Sequence, residues 1–216
     1  MNIQASTSED HGIALLTSND LNVYSVGIST GGVAEIRMAQ ASPGRQIIAT
    51  TIDEAGAAFA EQCIAEHRLD DRITVKIEDA AGPLPYDDGS FDYIYARLVL
   101  HYLPKDKLIS ALAELYRVLK PGGTLFVVVR STKCPDASGP NTTFDPETQL
   151  TTYADVIHGN SYSRFFHTET SISEFVRAAG LHVISVTSYD EHLFADFMRT
   201  VQSPHTDNVI ELVGKK

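Results

Sequence analysis

The 216-residue chain carries a net charge of −11, with 17 Lys and Arg against 28 Asp and Glu, and is 43% hydrophobic. That length suits one domain with a real core, and that composition is ordinary for a globular protein. It argues against nucleic-acid binding, which needs a basic footprint, and against a membrane span, which needs roughly 20 consecutive apolar residues.

The start, MNIQASTSEDHG, is polar and acidic and lacks the basic and apolar stretches of a secretory signal. Cys63 and Cys134 lie far apart and match no metal spacing. A reduced, cytoplasmic protein with a small-molecule partner and no metal is expected.

Strand and helix signals then alternate. SEDHGIALL gives one short helix. LNVYSV (21–26) reads as a strand and 32–40 as a helix. QIIATT (46–51) is a second strand, followed by a helix over 54–67 with Phe59, Cys63 and His67 on one face. ITVKI (73–77) and FDYIYA (91–96) are the third and fourth strands. Leu108, Leu112, Leu115 and Leu119 recur at near-helical spacing and predict a helix over 105–119. Its stop is Lys120-Pro121-Gly122-Gly123, where proline cannot continue a helix and glycine turns the chain. TLFVVVR (124–130) is a buried strand. Ile172, Phe175, Val176 and Ala179 mark a last helix closed by Gly180, and LHVISVTS (181–188) and VIELVG (209–214) are terminal strands.

This alternation predicts a mostly parallel, seven-stranded α/β sheet with helices on both faces. The last two strands, with no clear helix between them, predict an antiparallel edge. The chain reads as a single domain, 1–216. Residues 131–169 break the rhythm with Ser, Thr, Pro, Asn and aromatics, and are expected to form a lid or substrate-binding insertion.

The turn in NVYSVGISTGGVAEI (22–36) carries the first chemical question. Gly27-Ile28-Ser29-Thr30-Gly31 fits the Gly-x-Ser-x-Gly elbow of a nucleophilic serine. Only about 20 residues precede the strand, leaving no room for the earlier strands that such a hydrolase needs. A dinucleotide fingerprint would want Gly-x-Gly-x-x-Gly, and Ser29 stands at its second glycine. The remaining readings are a ligand cradle and a plain tight turn. Gly27 and Gly31 let the backbone approach a ligand, and the next helix offers free N–H groups and a positive dipole end that suit a carboxylate.

The cradle reading gains from four stretches. SVGISTGG, then RITVKIEDAAGPLPYDDGSFDYIYARLVLHYLP (72–104), ELYRVLKPGGTLFVVV (114–129) and RFFHTETSISEFVRAAGLHVISV (164–186) together resemble the class I S-adenosylmethionine-dependent methyltransferases of the small-molecule branch, over roughly residues 20–185. The resemblance implies a Rossmann-like fold, S-adenosylmethionine as cofactor, and methyl transfer to oxygen or nitrogen of a small acceptor.

The resemblance also assigns residues. Gly27, Ser29 and Gly31 stand in the glycine-rich motif, and Asp79-Ala80 matches the adenine contact. Ile52 would pack on the adenine face or lie in the core. Asp92 reads as structural. Ala96 and Arg97 would border the sulfonium, with Arg97 turned away, paired, or bound to a substrate carboxylate. His101, just beyond the fourth strand, is the candidate general base, and His167 could approach from the lid. Tyr162, Arg164, Phe165 and Phe166 would line that lid and suit a planar or apolar acceptor.

Three positions depart from the family pattern. Ser25 and Thr51 stand where acidic residues are usual, and Ser29 replaces a glycine. Asp53 would substitute for Thr51 if the strand end shifts. Neutral hydrogen bonds are roughly half as strong as charge-assisted ones, so weaker cofactor binding than is typical is expected. The alternative reading is a catalytically inactive methyltransferase-fold binding module or partner subunit. Closure over the cofactor is expected from residues 131–169 or from a second subunit, as in a homodimer.

Overall fold

The computed structural model describes residues 6–28, 30–155, 160–194 and 202–216. Its centre is a seven-stranded sheet. Five strands run parallel: β1 (Asn22–Val26), β2 (Gln46–Thr51), β3 (Ile73–Ile77), β4 (Phe91–Arg97) and β5 (Leu119–Arg130). Two long antiparallel strands, β9 (His182–Phe194) and β10 (Gln202–Lys215), complete one edge. The order is β3-β2-β1-β4-β5-β10-β9.

A sheet covered on both faces buries both sets of side chains, which is why its strands read as continuous apolar runs. Along β5, Leu125, Val127 and Val129 enter one core, and Phe126 and Val128 the other. The first core is covered by α4 (Lys105–Val118) and α5 (Glu169–Ala178), through Leu108, Leu112 and Leu115 and through Ile172 and Val176. The second lies under α1 (Thr7–Ala14), α2 (Val33–Gln40) and α3 (Glu54–Glu66).

The terminal strands, expected over 181–188 and 209–214, run longer, and two other regions differ from the sequence expectation. The fifth strand begins at Leu119, before the proline-glycine turn rather than after it. Leu119 is already extended (ψ 135°) and pairs with Phe91, and the ladder resumes at Tyr93 with Thr124. Lys120–Gly123 is therefore an irregularity inside the strand: Pro121 stops the helix without stopping the pairing. The insertion, in turn, is no open loop. β6 (Thr142–Phe144), β7 (Thr151–Asp155) and β8 (Asn160–Arg164) form a separate antiparallel sheet. Thr142, Thr143, Thr151, Thr152 and Tyr153 are β-branched or aromatic residues, which suit a pleated, half-exposed surface.

This small sheet is tied down over the ends of β4 and β5. Phe165 N–H donates to the His101 carbonyl at 2.8 Å, and His167 N–H to the Arg130 carbonyl at 3.0 Å.

Asp92, at the opposite end of β4, joins three segments, in line with its structural reading. It accepts from the Leu21 and Asn22 N–H groups at 3.1 and 2.8 Å and from Lys120 Nζ at 2.6 Å. Burial works against its charge, but Lys120 and the Asn22 amide outweigh it and hold the carboxyl below the usual range. Its contribution to stability is thus present above the ordinary carboxylate pKa and lost as pH falls through the lower folded value. Asp92→Ala should cost about 1–3 kcal/mol at pH 7. Urea denaturation should show the gap to wild type closing as the pH falls below the ordinary carboxylate range.

Candidate active site

The strand order reverses between β1 and β4, and at that point the connections leave in opposite directions and open a crevice. A cavity of about 530 Å³ occupies it, lined by the segments after β1, β2, β3 and β4. Gly27, Thr51, Ile52, Asp79 and Ala80 all lie on its wall.

Gly27 has φ +73°, and a Cβ there would come within 2.7 Å of Val99 Cγ2. Both the backbone conformation and the approach of Val99 require glycine. Ile52 is 76% exposed although it follows a buried strand, which rules out the core reading and makes it an apolar platform on the wall. Asp79 accepts from Ala81 N–H at 2.9 Å, shaping the turn while its residue faces the cavity. Thr51 Oγ1 accepts from Asp53 N–H, and Asp53 caps α3 through Ala55 N–H. Asp53 is thus committed to the helix.

Other expected residues stand behind the wall. Gly31, with φ +64°, packs close to Phe59 and Cys63 of α3. Ala96 is fully buried in the sheet. Ser29 lies outside the described residues. Ser25 is fully buried, and its hydroxyl donates to Glu35 Oε1 at 2.6 Å. Glu35 comes from the first turn of α2, so a carboxylate does reach the Ser25 position, from a different element. Glu78 is a second carboxylate that sequence reasoning missed. It lines the cavity beside Thr51 and accepts from the Tyr24 and Tyr86 hydroxyls. Burial and this carboxylate push both phenols above their usual range. Nothing local in the sequence links Glu78 to Tyr24, 54 residues away.

Arg97 is paired rather than free. It donates to Ser8 Oγ at 2.7 Å and to Ser6 Oγ, and lies 3.5 Å from Glu191. Glu191 accepts from the Ser8 amide and hydroxyl at 2.6 and 2.7 Å, placing negative charge at the N-terminus of α1. Arg37 adds ion pairs to Glu9 and Asp10. These contacts fasten α1 against the crevice at its β4 side.

His101 sits in the turn after β4, 1% exposed, with Nδ1 lacking a partner. Its neighbour Tyr102, not His101, faces the cavity. Burial, with the charges of Arg164 and Arg130, pushes its pKa well below the usual histidine value. His167 is fully buried, and burial alone lowers it to about 3. Among the described residues no cluster of His, Cys, Asp and Glu is arranged to hold a metal ion, and no helix is long and apolar enough to cross a membrane.

Residues 24–127 match the family described as Methyltransferase domain. The ubiquinone/menaquinone biosynthesis C-methyltransferase UbiE of Rhizobium johnstonii is 37% identical over 109 residues, covering 49% of this chain and 40% of that protein. The 27-O-demethylrifamycin SV methyltransferase of Amycolatopsis mediterranei is 35% identical over 100 residues, 46% of this chain and 35% of that one. The chain thus spans less than half the length of these curated relatives. Among solved structures, 1,6-didemethyltoxoflavin-N1-methyltransferase of Burkholderia thailandensis, with its substrate and S-adenosylhomocysteine bound, superposes with a TM-score of 0.64 at 15% identity, over 97% of this chain and 78% of that one. The fold is that of the class I S-adenosylmethionine-dependent methyltransferases. Residues 24–127 carry the matched methyltransferase domain.

Two measurements follow from this geometry. Gly27→Ala must strain a left-handed residue and push Val99 aside, and should cost about 1–3 kcal/mol and block the crevice to ligand. Thermal melting and ligand titration read the two effects separately. His101 and His167 are neutral in the fold but take up protons near pH 6.5 when unfolded. Stability is therefore full above that value and falls as pH drops, for His167 down to about 3. The slope should reach about 1.4 kcal/mol per pH unit for each histidine, and His167→Gln should remove one proton's share of it.

Proposed function

We propose that this chain transfers a methyl group from S-adenosylmethionine to oxygen or nitrogen of a small-molecule acceptor. The observation that carries the reading is the crevice at the strand reversal, whose wall is made by the segments that the resemblance assigns to the cofactor. The matched methyltransferase domain supports the same reading.

In this reading Gly27 leaves room for the methionyl end, Ile52 gives the adenine an apolar face, and Asp79 with the Ala80 amide meets its edge. Thr51 and Glu78 provide acceptors for the ribose hydroxyls. Each oxygen of Glu78 accepts one tyrosine hydroxyl and keeps further lone-pair capacity. Ser25, Gly31 and Ala96 shape the cradle from behind it. The bound cofactor supplies an already activated methyl group, so the protein's main task is to position the acceptor and exclude water. The α1 segment pinned by Arg97 and the β6–β8 insertion act as the two covers.

His101 is the residue proposed to take a proton when the acceptor must lose one; burial beside Arg164 and Arg130 makes it a weak base, and it would meet an acceptor from the insertion side rather than from the crevice wall. The chain is read as a cytoplasmic enzyme acting on a small molecule rather than on nucleic acid, with a second copy in a homodimer as the other source of closure. The named relatives methylate at carbon, oxygen and nitrogen between them. The acceptor atom is therefore the finest part of the proposal.

Calorimetric titration with S-adenosylmethionine and S-adenosylhomocysteine should give micromolar dissociation constants. Asp79→Asn and Glu78→Gln should each weaken binding about tenfold, the usual worth of a charge-assisted hydrogen bond. No binding at millimolar cofactor would end the enzyme reading. With binding in hand, transfer of a tritiated methyl group to a metabolite extract, and NMR of the product, identify the acceptor atom.

A further inference from the structure

Arg164, the last residue of β8, is 9% exposed and sits between the insertion and the turn after β4. Its guanidinium carbon lies 5.1, 5.3 and 5.5 Å from the ring centroids of Tyr102, Tyr153 and Tyr162. One of its terminal nitrogens donates to Tyr102 Oη at 3.2 Å. Its Nε has no partner, and among the described residues no carboxylate reaches it within ion-pair distance. Arg130, also largely buried, shows the contrast: it holds Asp207 at 2.8 Å and Asp136 at 3.2 Å.

Two further polar atoms in this layer stand without partners: His101 Nδ1 and His167 Nε2. The His101 backbone carbonyl accepts from Phe165 N–H, one residue beyond Arg164. Three buried hydrogen-bonding atoms thus stand open where the insertion meets the main sheet. Buried polar atoms are nearly always satisfied in folded proteins, and exceptions of this kind call for a missing partner. A trapped water would satisfy the hydrogen bonds but leave the guanidinium, which Asp207 offsets only from beyond ion-pair distance, without a contacting anion among the described residues.

The layer adjoins the crevice. Tyr102 shares both walls: it lines the cavity and it accepts from Arg164. Tyr102 and Tyr162 are 50% and 37% exposed, whereas Tyr153 is buried, so the tyrosine cage has an inner wall and an outer lip.

We infer that this layer is the acceptor site, and that it takes a planar aromatic acid whose carboxylate is held by Arg164 between the tyrosine rings. The inference rests on the methyl-transfer reading and names its substrate class. A cation is repelled by Arg164, and a neutral ligand leaves its charge unpaired. The tyrosine rings favour a flat apolar body beside the anion. Arg164 is a planar, forked donor, and its free Nε beside a terminal nitrogen suits two-point binding of a carboxylate. His101 then lies against the bound acid with an open ring nitrogen.

The test uses the full chain with ligand-observed NMR and four probes: benzoate and phenylacetate, with benzamide and phenylacetamide as neutral isosteres. Titrations are run with and without saturating S-adenosylhomocysteine. The acids should bind about tenfold more tightly than their amides. Arg164→Gln should abolish that preference and Arg164→Lys retain part of it, both with melting temperatures near wild type. Should the glutamine variant unfold, Tyr102→Phe, which keeps the cation and removes only its hydroxyl partner, should retain the preference for acids. Equal binding of acids and amides, no acid binding at millimolar concentration, or an unchanged preference in Arg164→Gln overturns the inference. Acid preference without S-adenosylhomocysteine binding would keep the anion site and remove the methyl-transfer reading. S-adenosylhomocysteine binding without acid preference would do the reverse.

Discussion

Parallel strands cannot be joined by hairpins, and that constraint organises this molecule. Each pair needs a crossover, and right-handed crossovers started from a central strand run outward in both directions. β1 and β4 are neighbours whose connections part, and the crevice is the space left between them. The close approach of Val99 to Gly27 closes its floor. The other groups discussed above are set relative to that floor: the platform of Ile52, the turn of Asp79, the carboxylate of Glu78 and the pinned N-terminal helix.

The crevice also explains where charge is tolerated. Two carboxylates missing from expected strand positions have counterparts on neighbouring elements. Glu35 reaches Ser25 from α2, and Glu78 stands beside Thr51 from the end of β3. In both cases hydroxyls donate to the acid, from Ser25 in one and from Tyr24 and Tyr86 in the other. A buried carboxylate is stable only with such donors, so an acid that moves must bring its partners or find them in place. The local motif therefore looks depleted although acidic groups remain near both positions.

A second polar layer lies between the insertion and the ends of β4 and β5. Arg130 is paired with Asp136 and Asp207 there, and two histidines are held neutral by burial. The insertion is built as a small sheet of its own, anchored by backbone bonds to His101 and Arg130. Because the anchors are backbone groups, the cover can hold its place while its side chains vary. This division suits a fold whose scaffold recurs with many acceptors, and it gives Arg164 and the tyrosines their weight in the proposal made for them.

By itself the sequence determined the class of fold. Seven strands, their helices and the antiparallel edge follow from the spacing of apolar residues and from proline and glycine stops, which act locally. The structural role of Asp92 came from its place in a recognised stretch. Tertiary structure decided the rest, because its causes are distant in the chain. The pairing of Leu119 with Phe91 carried a strand through a proline that reads as its boundary. Threonine-rich segments that read as loop became strands once they could pair. Arg97 reached Ser8 and Glu191, and Glu78 reached Tyr24, across 89, 94 and 54 residues. Charge partners at such separations leave no periodic or local mark, since they are chosen by the packing of elements whose contacts exist only after the chain has folded.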